Sequence, residues 1–291
     1  MNLYTEKMKL VCNLKDFLDS KDFQEVLTPV LRRDNSNKVI QRVCTDLGFA
    51  LRDSHELQLR YLLSRYHSVY EIGSCFRRED VAKSATNAAE FLLMELFTSK
   101  YDLVDLEALT REFILRYRPD TKFEAISVAE CIRKDLNVDL FNTDEYELFC
   151  VLRKRYPDES FEQDYKYVLH YIETEIEPLG KGKVIFFRDY PQCTCSYANI
   201  ISGSVVSRFE LFADGLELAN AFDDECSPER FIERNRQYPI FPAEENATVR
   251  GLKDGTLPSK SAGLGIGIER LCMFIYGNTD FNDFAFPSED F

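Results

Sequence analysis

Apolar positions near the N-terminus recur at helical spacing. Leu10, Val11, Leu14, Phe17 and Leu18 fall on one face, so residues 5–19 are predicted to form an amphipathic helix. A short extended run, Phe23 to Leu27, follows and ends at Thr28-Pro29, where the proline stops a helix and favours an extended neighbour. Residues 55–65 read as helix, Ser68 to Gly73 alternates as a strand, and a polar loop runs from Arg78 to Ala88. Glu90 to Ser99 reads as the next strand. Asp102 then caps a helix to about Arg116, with Asp105 and Glu107 favourably placed in its first turn.

From Pro119 to Gly182 the pattern changes. Helical segments at 127–136, 144–155 and 161–176 dominate, and the stretch reads as a helical insertion without identifiable chemistry. Strand signals return at Val184–Arg188, Ser207–Ala213 and Leu216–Phe222, the last two joined by Asp214-Gly215, a hairpin signal. Helices near 228–237 and 244–254 precede a glycine-rich strand-to-helix junction from Ala262 to Gly277. The predicted fold class is α+β: a mostly antiparallel sheet flanked by helices, with a helical insertion at 119–182 in one domain spanning 1–291.

Composition narrows the function classes. With 291 residues, 45% of them hydrophobic, the chain is long enough for a substantial core, and 23 Phe and 15 Tyr argue against disorder. The net charge of −14 disfavours a large phosphate-gripping surface. No apolar run is long enough to span a membrane, and no signal-peptide core opens the chain. Nine scattered Cys read as reduced thiols in a cytoplasmic setting. Cys193 and Cys195 read as one strand showing thiols to one face. The three His, at 55, 67 and 170, have no metal-like spacing and read as ordinary residues.

Three segments carry candidate chemistry. Tyr70-Glu-Ile-Gly-Ser-Cys-Phe-Arg-Arg-Glu79, followed by Glu90-Phe-Leu-Leu-Met-Glu-Leu-Phe97, puts Arg77 at a strand end, where its planar fork suits a phosphate and a carboxylate. Alone, such a segment is more often a surface hairpin with ion pairs. Ser207 to Asp224 places Glu210 and Glu217 on two strands joined by a tight turn, a pair of hard oxygen ligands suited to Mg²⁺ on a polyphosphate. Asn220, Phe222 and Asp224 alternate onto one face of the second strand. Alone, this is equally a solvated hairpin face. Ala262-Gly-Leu-Gly-Ile-Gly-Ile-Glu-Arg270 is not a dinucleotide fingerprint, because no βαβ unit has room to follow it. Its glycines allow close backbone approach, and tight strand packing explains them as well.

In this order the segments resemble class II aminoacyl-tRNA synthetases. Phe23-Gln-Glu-Val-Leu-Thr-Pro29 resembles the first family motif, which supplies a dimer interface; the Arg77 segment resembles the second, and Gly263 to Arg270 the third. Arg208-Phe-Glu-Leu-Phe with Glu-Leu-Ala-Asn-Ala-Phe222 is of lysyl type. The layout, with its first motif almost at the N-terminus and no room for an anticodon-binding domain, resembles the stand-alone lysyl-synthetase paralogue that acts on a lysine of elongation factor P, as does the stretch from Ile176 to Pro191. The resemblance implies an ATP-dependent ligase that forms an aminoacyl-adenylate from a lysine-like amino acid and passes it to a protein lysine, working as a homodimer with ATP and Mg²⁺, without tRNA or membrane.

It also implies residue roles. Arg77 would bridge the substrate carboxylate and the α-phosphate. Glu79 would face adenine, Phe91 would stack on it, and Arg270 would hold the γ-phosphate end. Glu210 and Glu217 would hold Mg²⁺, with Glu217 also at the ATP. Glu56 would take the α-ammonium and Asn220 would orient the carboxylate. Glu95 and Asp224 would receive a side-chain ammonium between the walls Phe97 and Phe222, and Gly265 would leave space near the amino group. Together these roles require two arginines and two acids to meet around one bent triphosphate.

The sequence departs from the family at several of these places. Asn87-Ala-Ala89 stands for the usual His-Asn-Pro, Phe97 for Tyr, Asp224 for Glu and His55 for Pro. The amino acid is therefore open among lysine, a longer amine, a β-amino isomer and another residue. A non-catalytic paralogue that senses an amino acid or nucleotide, and a ligase with a small-molecule, carrier-protein or tRNA acceptor, remain the competing readings.

Overall fold

Helix α1 (Leu3–Ser20) opens the fold much where its periodicity placed it. Asn2 caps it by accepting from the Thr5 N–H at 3.2 Å, and Leu10, Val11, Leu14, Phe17 and Leu18 are buried. The computed structural model describes residues 2–32, 43–78, 85–195, 197–237 and 242–284. The chain divides into two compact units, one of Met1–Pro119 with Pro239–Phe291 and one of Asp120–Tyr238.

In the first unit, α1 is followed by strands β1 (Gln24–Glu25), β2 (Leu31–Arg32) and β3 (Ala50–Leu51), helix α2 (Glu56–Leu62), strands β4 (Ser68–Phe76) and β5 (Glu90–Thr98), and helix α3 (Leu103–Tyr117). Asp102 and Asp105 form a reciprocal capping box on α3, as the sequence suggested. Leu106, Leu109, Phe113 and Ile114 are its buried face, and Phe113 meets Phe17 of α1 at a ring separation of 5.3 Å.

The second unit holds β6 (Phe123–Ser127), α4 (Val128–Leu136), α5 (Tyr146–Arg155), α6 (Asp164–Tyr171), β7 (Val184–Pro191), β8 (Ile200–Ser202), β9 (Val205–Ala213), β10 (Leu216–Asp223) and α7 (Pro228–Gln237). The chain then returns to the first unit for α8 (Pro242–Lys253), β11 (Ala262–Gly267) and α9 (Ile268–Tyr276).

Within each unit the strands pair mostly antiparallel. In the first the order is β1-β4-β5-β11, with only β1 running parallel to its neighbour. Its register sets three rows of facing residues: Val69–Phe97–Gly263, Glu71–Glu95–Gly265 and Gly73–Leu93–Gly267. Side chains alternate at a period of two, so these rows share one face of the sheet. In the second unit the order is β10-β9-β7-β6, with β6 parallel to β7 and β8 added on β9. Asp214 (φ 52°) and Gly215 (φ 83°) both take left-handed conformations, the requirement of the tight hairpin turn their sequence announced.

Helices α4 to α6 cover one face of the strands of the second unit. Val128, Ile132, Leu148, Leu152, Val168 and Tyr171 pack there with Ile185, Phe187 and Phe212. Phe187 is fully buried, which contributes about 1.5–3 kcal/mol relative to leaving it in water. The architecture is the mixed α+β arrangement predicted, with three local differences. Strand β6 falls where only helix was read, and the long helix of 161–176 ends at Tyr171 in a π-helical turn, Ile172–Ile176. Cys193 sits in a 3₁₀ turn rather than a strand, with Cys195 just beyond it, and all nine cysteines are free thiols. Among the described residues no helix is long and apolar enough to cross a membrane.

Candidate active site

In the first unit the polar candidates lie on the face that carries the three glycines of β11. Arg77 follows the end of β4. Its backbone N–H donates to the Ala89 carbonyl at 2.9 Å, its Nε to the Asp53 carbonyl at 3.4 Å, and its guanidinium lies 5.1 Å from the Phe91 ring centroid. Phe91 faces Cys75 across the strand pair, and Arg77 lies two residues beyond Cys75, which explains why the two side chains meet. Arg270, in the first turn of α9, donates from Nε to the Thr86 carbonyl at 3.3 Å and from Nη2 to Asn87 Oδ1. The altered Asn87-Ala-Ala89 sequence therefore gives this arginine a side-chain acceptor of its own. Glu79 lies outside the described residues.

Glu56 occupies the first turn of α2, where the helix dipole favours an acid. Phe97 is 2% exposed and lies under β11. A Cβ on Gly263 would stand 2.5 Å from its ring, so that glycine is what admits the phenyl group. Gly265 faces Glu95 directly across the β5–β11 pair. Glu95 itself is held by His55, whose backbone N–H donates to Oε2 and whose Nδ1 lies 3.0 Å from the same oxygen.

Sequence reasoning missed the residues beneath Glu95. Glu71 is buried and faces it on β4. Arg52, also buried, donates to Glu71 Oε1 at 2.6 Å, to the Ser74 carbonyl at 2.8 Å and to the Thr28 carbonyl at 3.1 Å. The Thr28 N–H closes the set by donating to Glu71 Oε2 at 2.9 Å. The available signal was an acid at an inward position between Tyr70 and Ile72; its importance emerges only once β4 and β5 are paired.

In the second unit the face of β9 changes character along its length. Phe212 belongs to the apolar core, while Glu210 and Arg208, two and four residues earlier, are polar. The Tyr190 hydroxyl donates to Glu210 Oε2 at 2.6 Å, and Arg208 Nη2 donates to Glu210 Oε1. Arg208 also reaches Asn220 Oδ1 at 3.2 Å and Thr194 Oγ1 at 3.2 Å, with its guanidinium 4.6 Å from the Tyr190 ring centroid. Burial works most strongly against the charged form of Arg208, but Glu210 together with Cys195, Tyr190 and Glu217 outweighs it and the guanidinium is held above its ordinary pKa. A bulge at Asp189 (φ 57°) separates the register of Arg188 from that of Tyr190 on β7.

Glu210 and Glu217 share this face, but they are not direct cross-strand partners. Glu210 pairs with Asn220 and Glu217 with Phe212, and a bulge lies between Glu217 and Ala219. Asn220 and Phe222 face the same side as Glu210 and Arg208, as their alternation predicted. Asp224 is buried and lies past the end of β10, bridged to Ala198. Among the described residues no group of three or more acidic, His or Cys side chains is placed to hold a metal ion, and both oxygens of Glu210 are already engaged by Arg208 and Tyr190. Burial raises the Glu177 carboxyl to about 7, and the charges of Glu210, Glu173 and Glu217 add to that rise.

Comparison with known proteins places the chain in a family. The family of class II tRNA synthetases for D, K and N matches residues 2–290, and the chain belongs to that family. At the level of single proteins, it is similar to the lysine–tRNA ligase of Lactococcus lactis strain IL1403, at 28% identity over 99% of this chain and 65% of that protein. It is also similar to the lysine–tRNA ligase of Thermosipho africanus, at 27% identity over 99% of this chain and 63% of the other, and to that of Sulfolobus acidocaldarius, at 28% over 91% and 60%. The chain thus spans a little under two thirds of the length of these curated relatives.

Proposed function

We propose that this protein is an ATP-dependent ligase. It joins the carboxylate of lysine or a lysine-like amino acid to the α-phosphate of ATP, releases pyrophosphate, and transfers the aminoacyl group from the adenylate to a lysine amine of a protein acceptor in the cytoplasm, elongation factor P, releasing AMP. The observation that carries the adenylating step is the Arg77–Phe91 pair at 5.1 Å, a fixed cation against a flat aromatic face on the glycine-lined sheet.

Arg77 neutralises charge that builds on the α-phosphate as the substrate carboxylate attacks, Phe91 offers its ring to adenine, and Arg270 holds the terminal phosphate. Glu79 takes the adenine side. Glu56 receives the α-ammonium, and Asn220 orients the carboxylate. Glu95 receives the side-chain amine beside Phe97, with Gly265 leaving room; Phe222 and Asp224 keep the roles that the family resemblance implies. Glu210 and Glu217 are the residues that would hold Mg²⁺, which supplies charge neutralisation to the leaving pyrophosphate when bound. The attacking carboxylate belongs to the substrate, so positioning and charge suffice without a protein nucleophile.

The acceptor assignment is supported by the lysyl-type stretch Arg208–Phe222 and by the resemblance of Ile176–Pro191 to the elongation factor P ligase, while the charge of −14 argues against tRNA. Homodimerisation through the Phe23–Pro29 segment rests on its resemblance to the first family motif. A second reading, a non-catalytic amino-acid or nucleotide sensor, is favoured by one observation: Arg270 is already engaged by Thr86 and Asn87.

ATP–pyrophosphate exchange with a panel of amino acids, including lysine isomers, decides between the two readings. Exchange with a cationic amino acid is the expected result, and Arg77→Ala should lower it by roughly 100-fold or more. A folded wild type that exchanges with no amino acid is the sensor. Incubation of the charged enzyme with elongation factor P, read by intact mass, tests the acceptor.

A further inference from the structure

Glu71 and Glu95 face each other directly on β4 and β5. Two carboxylates at such a pair repel, and the sheet tolerates them only with compensation. Arg52 and the Thr28 N–H serve Glu71. His55 stands between the acids, wholly buried, with Nδ1 3.0 Å from Glu95 Oε2 and Nε2 3.7 Å from Glu71 Oε1. A carboxylate is only an acceptor, so the short contact fixes a proton on Nδ1. The Cys75 sulfur lies 3.8 Å from the ring on another side, and a Cβ on Gly73 would run into Arg52 and come within 3.2 Å of His55 Nε2. Space for the imidazole is therefore built into the strand.

The two oxygens of Glu95 are treated differently. Oε2 takes two hydrogen bonds from His55, one from the backbone and one from the ring. Oε1 takes none among the described residues, and the side chain keeps 12% exposure. We propose that His55 is a positioning residue of the amino-acid site: it clamps one oxygen of Glu95 and presents the other to a cationic amine of the substrate. This role rests on the function proposed above, in which Glu95 receives that amine. Without the ring contact the carboxylate regains rotation about its last bond, and the amine must order it on binding. His55 touches no reacting atom, so its effect belongs in amino-acid binding and not in the chemical step.

Asparagine and glutamine separate the clamp from mere filling of space. The Asn amide nitrogen falls where Nδ1 lies; that of Gln falls nearer Nε2. In pyrophosphate exchange with full-length protein, His55→Ala should raise the amino-acid KM by roughly ten- to a hundredfold, the value of a hydrogen bond to a charged group. The KM for ATP and the rate at saturating amino acid should stay near wild type. His55→Asn should recover most of the loss and His55→Gln little of it; if the alanine variant does not fold, this contrast decides alone. Equal behaviour of the Asn and Gln variants, or KM values for ATP and amino acid that rise together, overturns the clamp. A wild type that exchanges with no amino acid removes the proposed function and the clamp together, whereas wild-type exchange with no Asn–Gln contrast removes only the clamp.

Discussion

Glu177 shows how a single side chain records its surroundings. Its carboxyl is raised to about 7 by burial first and by Glu210, Glu173 and Glu217 after that, with Arg208 pulling the other way. A folded-state value above the ordinary 4.5 means that the native protein binds this proton more tightly than the unfolded chain does. The stabilisation is complete below about pH 4.5 and is lost as the pH rises through about 7. Glu177→Gln, which keeps the shape and removes the charge, should flatten that decline in thermal melts recorded between about pH 5 and about pH 8. An unchanged slope in the variant would assign the decline to other groups.

Strand β11 has its own consequence at the scale of the element. Its three glycines face the side occupied by Phe97, Glu95 and Leu93, and at Gly263 the fit is tightest, with a Cβ falling 2.5 Å from the Phe97 ring. Gly263→Ala should therefore destabilise the protein by about 1–3 kcal/mol in denaturant titration. Phe97→Leu, placed in the same chain, should recover part of that loss because the obstacle has been shortened, and additive costs in the double variant would refute the clash. Other elements were readable one by one. The α3 capping box and the Asp214-Gly215 turn are written in a few adjacent residues, and each appears where those residues put it. Strand β6 was not readable. It is five residues long with no apolar alternation, and it is a strand because β7, some 60 residues later, pairs with it in parallel.

For the molecule as a whole, the charge of −14 bears on the acceptor. Without a basic excess there is little counterion release to drive binding to a polyphosphate chain. Transfer RNA should show no retention in filter binding at about 150 mM salt; tight binding that weakens steeply as salt rises would favour a tRNA acceptor over a protein one. Local sequence was enough to place most of the helices and strands and to fix the α+β class, because capping, turn chemistry and hydrophobic period act over a few residues. It could not show that Glu210 is already gripped by Arg208 and Tyr190, or that Glu217 lies one bulge away from simple pairing with it. It also passed over His55 as an ordinary histidine, while register set Glu71 against Glu95 and left that ring between them. Such relations join residues tens of positions apart, and only strand pairing, which tertiary packing fixes, brings them within hydrogen-bonding distance.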